Sequence, residues 1–384
     1  MRITQSIEGI SIFTGSPIRI EYCPDGIENI VELDYVPGMC YLSPGFLDIQ
    51  VNGYNGIDYS LENLNSKNIK SLVQHLAVSG TTKHVPTFVT MPQNRLLNNL
   101  RTVSKAMHSD SQLATSIPGF HIEGPFISPL TGPRGVHDPK YIRTPNYTDF
   151  LEWQDAAEGK ILYVTIAPEV EGSLDFISKV VKSGVKVAIG HSAASPEVIN
   201  EAIGAGATLS THLGNGSFTE IHRLRNYIWE QLAADCLTAG IICDGHHLPP
   251  SVVKVFTRAK GLDRLILVSD VALLGGYPEG QYKWGNMDID VYADGHLGLH
   301  GSDVLAGAAH TLDWDIARFI EYTGSTLAEA IKLCTINPAK ALKINSNQYE
   351  SFSEGNPSNF CKFSYEYGIK RLDMREVIQH GSVL

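Results

Sequence analysis

The sequence predicts an α/β protein, a (β/α)8 barrel with a small β-sandwich domain drawn from both ends of the chain. Three observations carry that expectation. Eight apolar, β-type runs alternate with amphipathic helical segments between Pro44 and Asp270, which is the order of parallel βαβ units. Four of those runs end in a lone metal-binding or acid/base side chain: Glu123 in GFHIEGP, His191 in VAIGHS, His212 in LSTHL and Asp270 in LILVSD. The carboxyl ends of barrel strands all face one pocket. On either side of the barrel stretch lie short strand-like pieces broken by Gly, Pro and Asp, with no helical period.

Residues 1–43 read as the first half of the small β-domain. From Pro44 the rhythm changes to the runs FLDIQV, KHVPTFV, IPGFHI, LYVTIA, VKVAIG, ATLSTHL, GIICDG and LILVSD, separated by helical stretches such as IKSLVQHLAVSG, FISKVVKSG and PEVINEAIGAG. Near-continuous apolar character is what strands covered on both faces require, and eight is the number that closes a TIM barrel. After Asp270, glycine-rich LLGGYPEGQY leads into strand-rich YKWGNMDIDVYADGHLGLHG, expected to lie over the barrel mouth as a loop or flap. Two helices should follow, TLDWDIARFIEYTG, stopped at Gly324, and TLAEAIKLCTINPAKAL. From Ser351 the tail returns to short strands and turns. Residues 1–43 and 351–384 are therefore expected to pair into the β-domain, and 44–350 to form a metal-dependent catalytic barrel.

A chain of 384 residues that is 43% hydrophobic can bury a large core. Its net charge of −11 and pI near 5.7 argue against a protein built to neutralise nucleic-acid phosphates. The start, MRITQSIEGISIF, has neither a charged leader nor a continuous apolar segment, and no run is long enough to span a bilayer. A cytoplasmic location is the expectation. The six cysteines, Cys23, Cys40, Cys236, Cys243, Cys334 and Cys361, include no CxxC pair, so neither a disulfide framework nor a cysteine zinc site is suggested.

Glu123, His191 and His212 supply one carboxylate and two imidazoles, a ligand set suited to one divalent ion per chain, zinc first, with iron or manganese as alternatives. Three protein ligands leave a position for water, whose pKa a bound metal lowers towards about 7. Any one of these histidines alone would read as an ordinary core or surface histidine; all three at the ends of barrel-type runs read as a site. Asp270 can take a proton from the attacking water and return it to a leaving amine, although Asp at a strand end also serves as a helix cap or turn residue. His137 in RGVHD and His247 in CDGHHLPP follow further runs on expected loops. They could orient a substrate or its carbonyl; a solvated loop histidine is the competing role.

The ordered set PGFLDIQVNG, GTTKHVPTFVT, GFHIEGPF, VTIAPE, AIGHS, STHLGNG, CDGHH, LVSD and TINPAKAL resembles the N-acetylglucosamine-6-phosphate deacetylases of the amidohydrolase superfamily. The resemblance covers nearly the whole chain. It implies a metal-dependent barrel with metal residues at Glu123, His191 and His212 and a catalytic aspartate at Asp270. It also implies a place for His137 near the acetyl carbonyl, and for His247, Asn215 and the backbone at Gly216 near the sugar phosphate. Many amidohydrolases hold a second metal with His-x-His after the first strand, where this chain has Gln50 and Asn52 in DIQVNG. Neutral amides are weak ligands for transition metals, and a branch of the family shares this substitution, so a single ion is expected.

Two departures bear on substrate. The run THLGNGS differs from the family's Asn-Ala-Met, and the family arginine that holds the phosphate from the neighbouring subunit aligns with Arg223 in EIHRLRNYIWEQ, where the following residues differ. The short basic run could equally be a solvated face. The function expected is removal of acetyl from an N-acetylated amino sugar, first of all N-acetylglucosamine 6-phosphate, by a homodimer whose partners are small molecules and not nucleic acid or membrane. The alternatives are an amidohydrolase acting on another N-acyl sugar or a cyclic amide and, more remotely, a non-catalytic assembly protein.

Overall fold

The computed structural model describes residues 4–384. The eight expected runs all become strands: β1 (Leu47–Val51), β2 (Lys83–Phe88), β3 (Phe120–Glu123), β4 (Ile161–Ile166), β5 (Lys186–Ile189), β6 (Leu209–Ser210), β7 (Thr238–Ile241) and β8 (Leu265–Leu267). They pair in chain order as one eight-stranded sheet, parallel throughout. The seam between β8 and β1 closes just beyond the strand ends. Asp270 N donates to Gln50 O at 3.0 Å, and Val51 bridges Val271 in parallel.

Each strand is followed by a helix, from Ser66–Ala77 after β1 round to Leu312–Thr323 after β8. Their sequences explain where they begin and which face they bury. Asn65 caps Ser66–Ala77 by accepting from the amides of Lys67 and Asn68, and Ile69, Leu72, Val73 and Leu76 turn one stripe onto the barrel. Asn226 caps Tyr227–Ala233 in the same way, through the amides of Ile228 and Trp229.

The segment TLAEAIKLCTINPAKAL forms two short helices where one was expected, Leu327–Lys332 and Ile336–Ala341. The break has a cause in the barrel floor. The carbonyls of Leu333 and Cys334 accept from the amides of Leu267 and Leu47, which lie on β8 and β1. Asn337 Nδ2 meanwhile donates to the carbonyls of Leu262 and Leu265. A continuous helix would have spent those carbonyls on itself.

The small β-sandwich domain is a seven-stranded sheet from both termini. Tyr41–Pro44, near the start, pairs antiparallel with Phe360–Ser364, near the end, and Ile7, Ile18, Ile20, Tyr22, Leu42, Phe360 and Ile378 make its core. The flap is a three-stranded antiparallel sheet, Gly280–Trp284, Met287–Val291 and Leu297–Leu299. Ile289, Val291 and Leu297 pack it on Ala272, Leu273, Leu274, Ala306 and Ala309, just past the carboxyl end of β8. No helix among the described residues is long and apolar enough to cross a membrane. All six cysteines are unpaired thiols.

Candidate active site

Glu123 is the last residue of β3, and His191, His212 and Asp270 stand two or three residues beyond β5, β6 and β8. The latter three have positive φ, at 51°, 27° and 50°. Left-handed backbone is uncommon for residues other than glycine and marks a held conformation. Here it turns the chain sharply off each strand and directs the side chain into the barrel mouth.

His191 Nε2 and His212 Nε2 lie 3.1 and 3.0 Å from Glu123 Oε1 and 3.1 Å from each other. Bonds of about 2.0–2.1 Å to a tetrahedral ion would hold such atoms roughly 3.3–3.4 Å apart, so the three are already spaced for a metal. His191 Nδ1 donates to the Pro133 carbonyl at 2.9 Å, which turns the Nε2 lone pair towards Glu123, the outer-contact pattern of a metal-binding histidine. Burial pushes the Glu123 carboxyl up, but its hydrogen bonds to His191 and His212 outweigh that and hold it well below the usual range. All three residues are buried. Converging lone pairs on a buried carboxylate and two imidazoles fit a divalent cation.

Gln50 and Asn52, which stand where many amidohydrolases carry a histidine pair, face Asp270. Gln50 Nε2 donates to Asp270 Oδ1 at 3.0 Å and to Glu123 Oε1 at 3.2 Å, while Asn52 Nδ2 donates to the same Asp270 Oδ1 at 2.7 Å. Two amides thus orient the aspartate and tie it to the cluster. Burial and the charge of Glu123 push Asp270 up to about 6. His137 stacks edge-on against His191, with ring centroids 4.4 Å apart, and its Nδ1 lies 2.7 Å from Thr90 Oγ1. Burial pushes it down to about 3, so the ring is neutral at physiological pH.

The remaining expected residues lie around this centre at different depths. His247 Nδ1 is 2.7 Å from Asp244 Oδ2, and Asp244 Oδ1 also accepts the His246 and His247 amides. Asn215 holds the His212 carbonyl through its side chain at 3.2 Å. Gly216 has φ +54°, and a Cβ there would sit 2.7 Å from His191 Nδ1, so the loop can approach the imidazole only as glycine. Arg223 is exposed on the loop after β6. Its neighbours in the basic run are engaged, His222 with the amides of Leu224 and Arg225, and Arg225 with Glu197.

Several participants escaped the sequence. His121 sits beneath Glu123, two residues earlier on the same strand, with Nε2 2.7 Å from Thr165 Oγ1 and its ring stacked 3.8 Å from Tyr163. Thr165 Oγ1 is in turn 2.6 Å from Thr211 Oγ1. The period-2 spacing of His121 and Glu123 was the available signal. For the threonines and for Asp244 there was none.

No family model matches the chain. It is 31% identical over 332 residues to the N-acetylglucosamine-6-phosphate deacetylase of Haemophilus influenzae, covering 85% of this chain and 84% of that protein. It is 32% identical over 317 residues to the enzyme of the same name from Danio rerio, covering 79% and 76%. Among solved structures it is similar to a mutant N-acetyl-D-glucosamine-6-phosphate deacetylase from Mycobacterium smegmatis in complex with N-acetyl-D-glucosamine-6-phosphate. That match has a TM-score of 0.86 and 26% identity, over 99% of each chain.

Proposed function

The chain belongs to the N-acetylglucosamine-6-phosphate deacetylase family, and from that premise we propose how its barrel mouth carries out the hydrolysis. The reaction removes acetyl from N-acetylglucosamine 6-phosphate to give glucosamine 6-phosphate and acetate. The observation that carries the reading is the convergence of Glu123, His191 and His212 within 3.1 Å of one another, joined to Asp270 through Gln50. Those three side chains would hold one divalent ion per chain, zinc before iron or manganese, which when bound would supply Lewis acidity to the acetyl carbonyl and lower the pKa of the attacking water.

This chain's own groups do the rest. Asp270 takes a proton from water as the new C–O bond forms, then delivers it to the amide nitrogen as the C–N bond breaks, leaving a neutral amine. Its Oδ1 is held by Gln50 and Asn52, which leaves Oδ2 to carry the proton. His137, neutral and fixed by Thr90, presents its other ring nitrogen to the acetyl carbonyl. His247, Asn215 and the Gly216 backbone receive the sugar phosphate, with Arg223 reaching it from a neighbouring subunit. A homodimer is supported by Phe218, Ile221, Leu224 and Trp229, exposed large side chains that flank Arg223 in the sequence. The free thiols fit a cytoplasmic enzyme, and the chain divides into a β-domain of 1–43 with 351–384 and a catalytic domain of 44–350.

Stripping the metal and restoring it tests this reading. Acetate release from the phosphorylated sugar should vanish on chelation and return with about one equivalent of Zn²⁺, Fe²⁺ or Mn²⁺ per chain. Elemental analysis showing two tightly held ions, both required for turnover, would refute it.

A further inference from the structure

A second cluster of metal-ligating side chains lies away from the catalytic centre. One ligand atom each from His246, Asp294 and His296 lies within 4.8 Å of the other two. The three come from two separate parts of the fold. His246 is on the loop after β7, beside His247, whereas Asp294 and His296 flank Gly295 in the turn joining the last two flap strands. Gly295 has φ +93°, and a Cβ on it would stand 2.8 Å from His310, so the turn is pressed against the barrel.

The rings are aligned as well as close. His246 stacks on His296 with centroids 4.7 Å apart, His296 on Tyr292 at 4.1 Å, and His310 on Trp314 at 4.0 Å. His296 Nδ1 lies 2.6 Å from Asp294 Oδ1. No side-chain or carbonyl partner holds the ring nitrogens of His246 among the described residues. An aspartate–histidine pair that merely stiffened the turn would leave the facing His246 without a role. A site with bonds of about 2.0–2.1 Å needs ligand atoms roughly 3.3–3.4 Å apart. Asp294 is more than half exposed and His296 a quarter, which leaves room for an ion to displace the Asp294–His296 hydrogen bond and for the two side chains to turn towards it.

We propose that His246, Asp294 and His296 form a second divalent-metal site of the zinc type, which clasps the flap turn to the loop after β7. Two imidazoles and a carboxylate match borderline divalent ions, with water completing the shell. The ion is not needed for turnover; it joins the flap to the loop that carries His247.

The test starts from enzyme holding one catalytic ion per chain and titrates further Zn²⁺, with bound metal counted after equilibrium dialysis and heats followed by calorimetry. A second, weaker equivalent is expected. His296→Ala and Asp294→Asn should each weaken it by about tenfold or more, at least the effect of losing a supporting contact at a metal site, without altering turnover at one ion. Asp294→Asn preserves the shape of the turn should the alanine variant disturb it. Absence of a second equivalent, or one of unchanged affinity in both variants, overturns the proposal. Either result leaves the count of one ion at Glu123, His191 and His212 untouched.

Discussion

Asn52→Leu isolates the work of the amides that stand where other barrels place metal-binding histidines. Leucine keeps the branched outline of the asparagine side chain, although its methyl groups are bulkier than the amide atoms they replace. Asn52 Oδ1 is buried without a partner, so leucine forfeits only the donor side, the Nδ2 bonds to Asp270 Oδ1 at 2.7 Å and to the Asp270 carbonyl at 3.3 Å. A hydrogen bond to a buried carboxylate contributes roughly 1.5–3 kcal/mol. Losing it should lower kcat by about 10- to 150-fold, because Asp270 must be aimed in the transition state and not merely present. KM and metal content should hold, since Asn52 makes no hydrogen bond to Glu123, His191 or His212. Gln50→Leu provides the contrast. Gln50 reaches both Asp270 and Glu123, so its loss should reduce kcat and weaken metal retention together. Steady-state acetate release with metal content measured on the same samples decides the matter. A metal-replete Asn52→Leu enzyme turning over within threefold of wild type would refute the argument.

Asp270→Asn keeps size and polarity but cannot accept the proton, and kcat should fall roughly 10²–10⁴-fold with the metal retained; near-normal turnover would remove Asp270 from the chemistry. Arg223→Ala should lower kcat/KM on the phosphorylated sugar by about 10- to 150-fold and spare the unphosphorylated analogue, whereas an equal loss on both would make Arg223 structural. Burial pushes Asp48 up to about 7 from 3.8, so the folded protein holds that proton more tightly than the unfolded chain does. The stability it contributes is complete below about pH 4 and is lost as pH rises to 7. Asp48→Asn keeps an acceptor for the amides of Gln50 and Ser269. Its Tm should match wild type at pH 4 and exceed it at pH 8, by up to about 4 kcal/mol of stability; a gap of the same size at both pH values would count against this.

The barrel was legible because strands buried on both faces are mainly apolar, so a carboxylate or imidazole closing such a run at its mouth end is conspicuous, even though Asp48 and His121 lie deeper in their strands. Glu123, His191, His212 and Asp270 stood out for that reason, and the eight runs located all eight strands. Ser210 to Asn226 was harder to read. The strand in ATLSTHL is only Leu209–Ser210, and the long loop after it places Asn215 on a carbonyl and Gly216 on an imidazole through backbone geometry that residue types do not encode. The Thr165–Thr211 contact joins positions 46 residues apart, beyond any periodicity, and nothing in CDGHH marks the Asp244 carboxylate as the group that grips His247. The split of TLAEAIKLCTINPAKAL also had a tertiary cause, since the demand of β1 and β8 for carbonyl acceptors overrode local helix propensity.

The positive φ values of His191, His212 and Asp270 set a limit on redesign of this protein. Each such non-glycine residue costs on the order of 1–3 kcal/mol, and glycine or asparagine would occupy the same backbone with less strain. A sequence optimised for thermal resistance alone would therefore drift towards replacing the residues that do the chemistry. Bound metal opposes that drift, because an ion that binds only the folded form stabilises it in proportion to the logarithm of its concentration over Kd. Screens for hardier variants run without metal would reward inactive proteins, and the same screens run with it would keep the histidines in place.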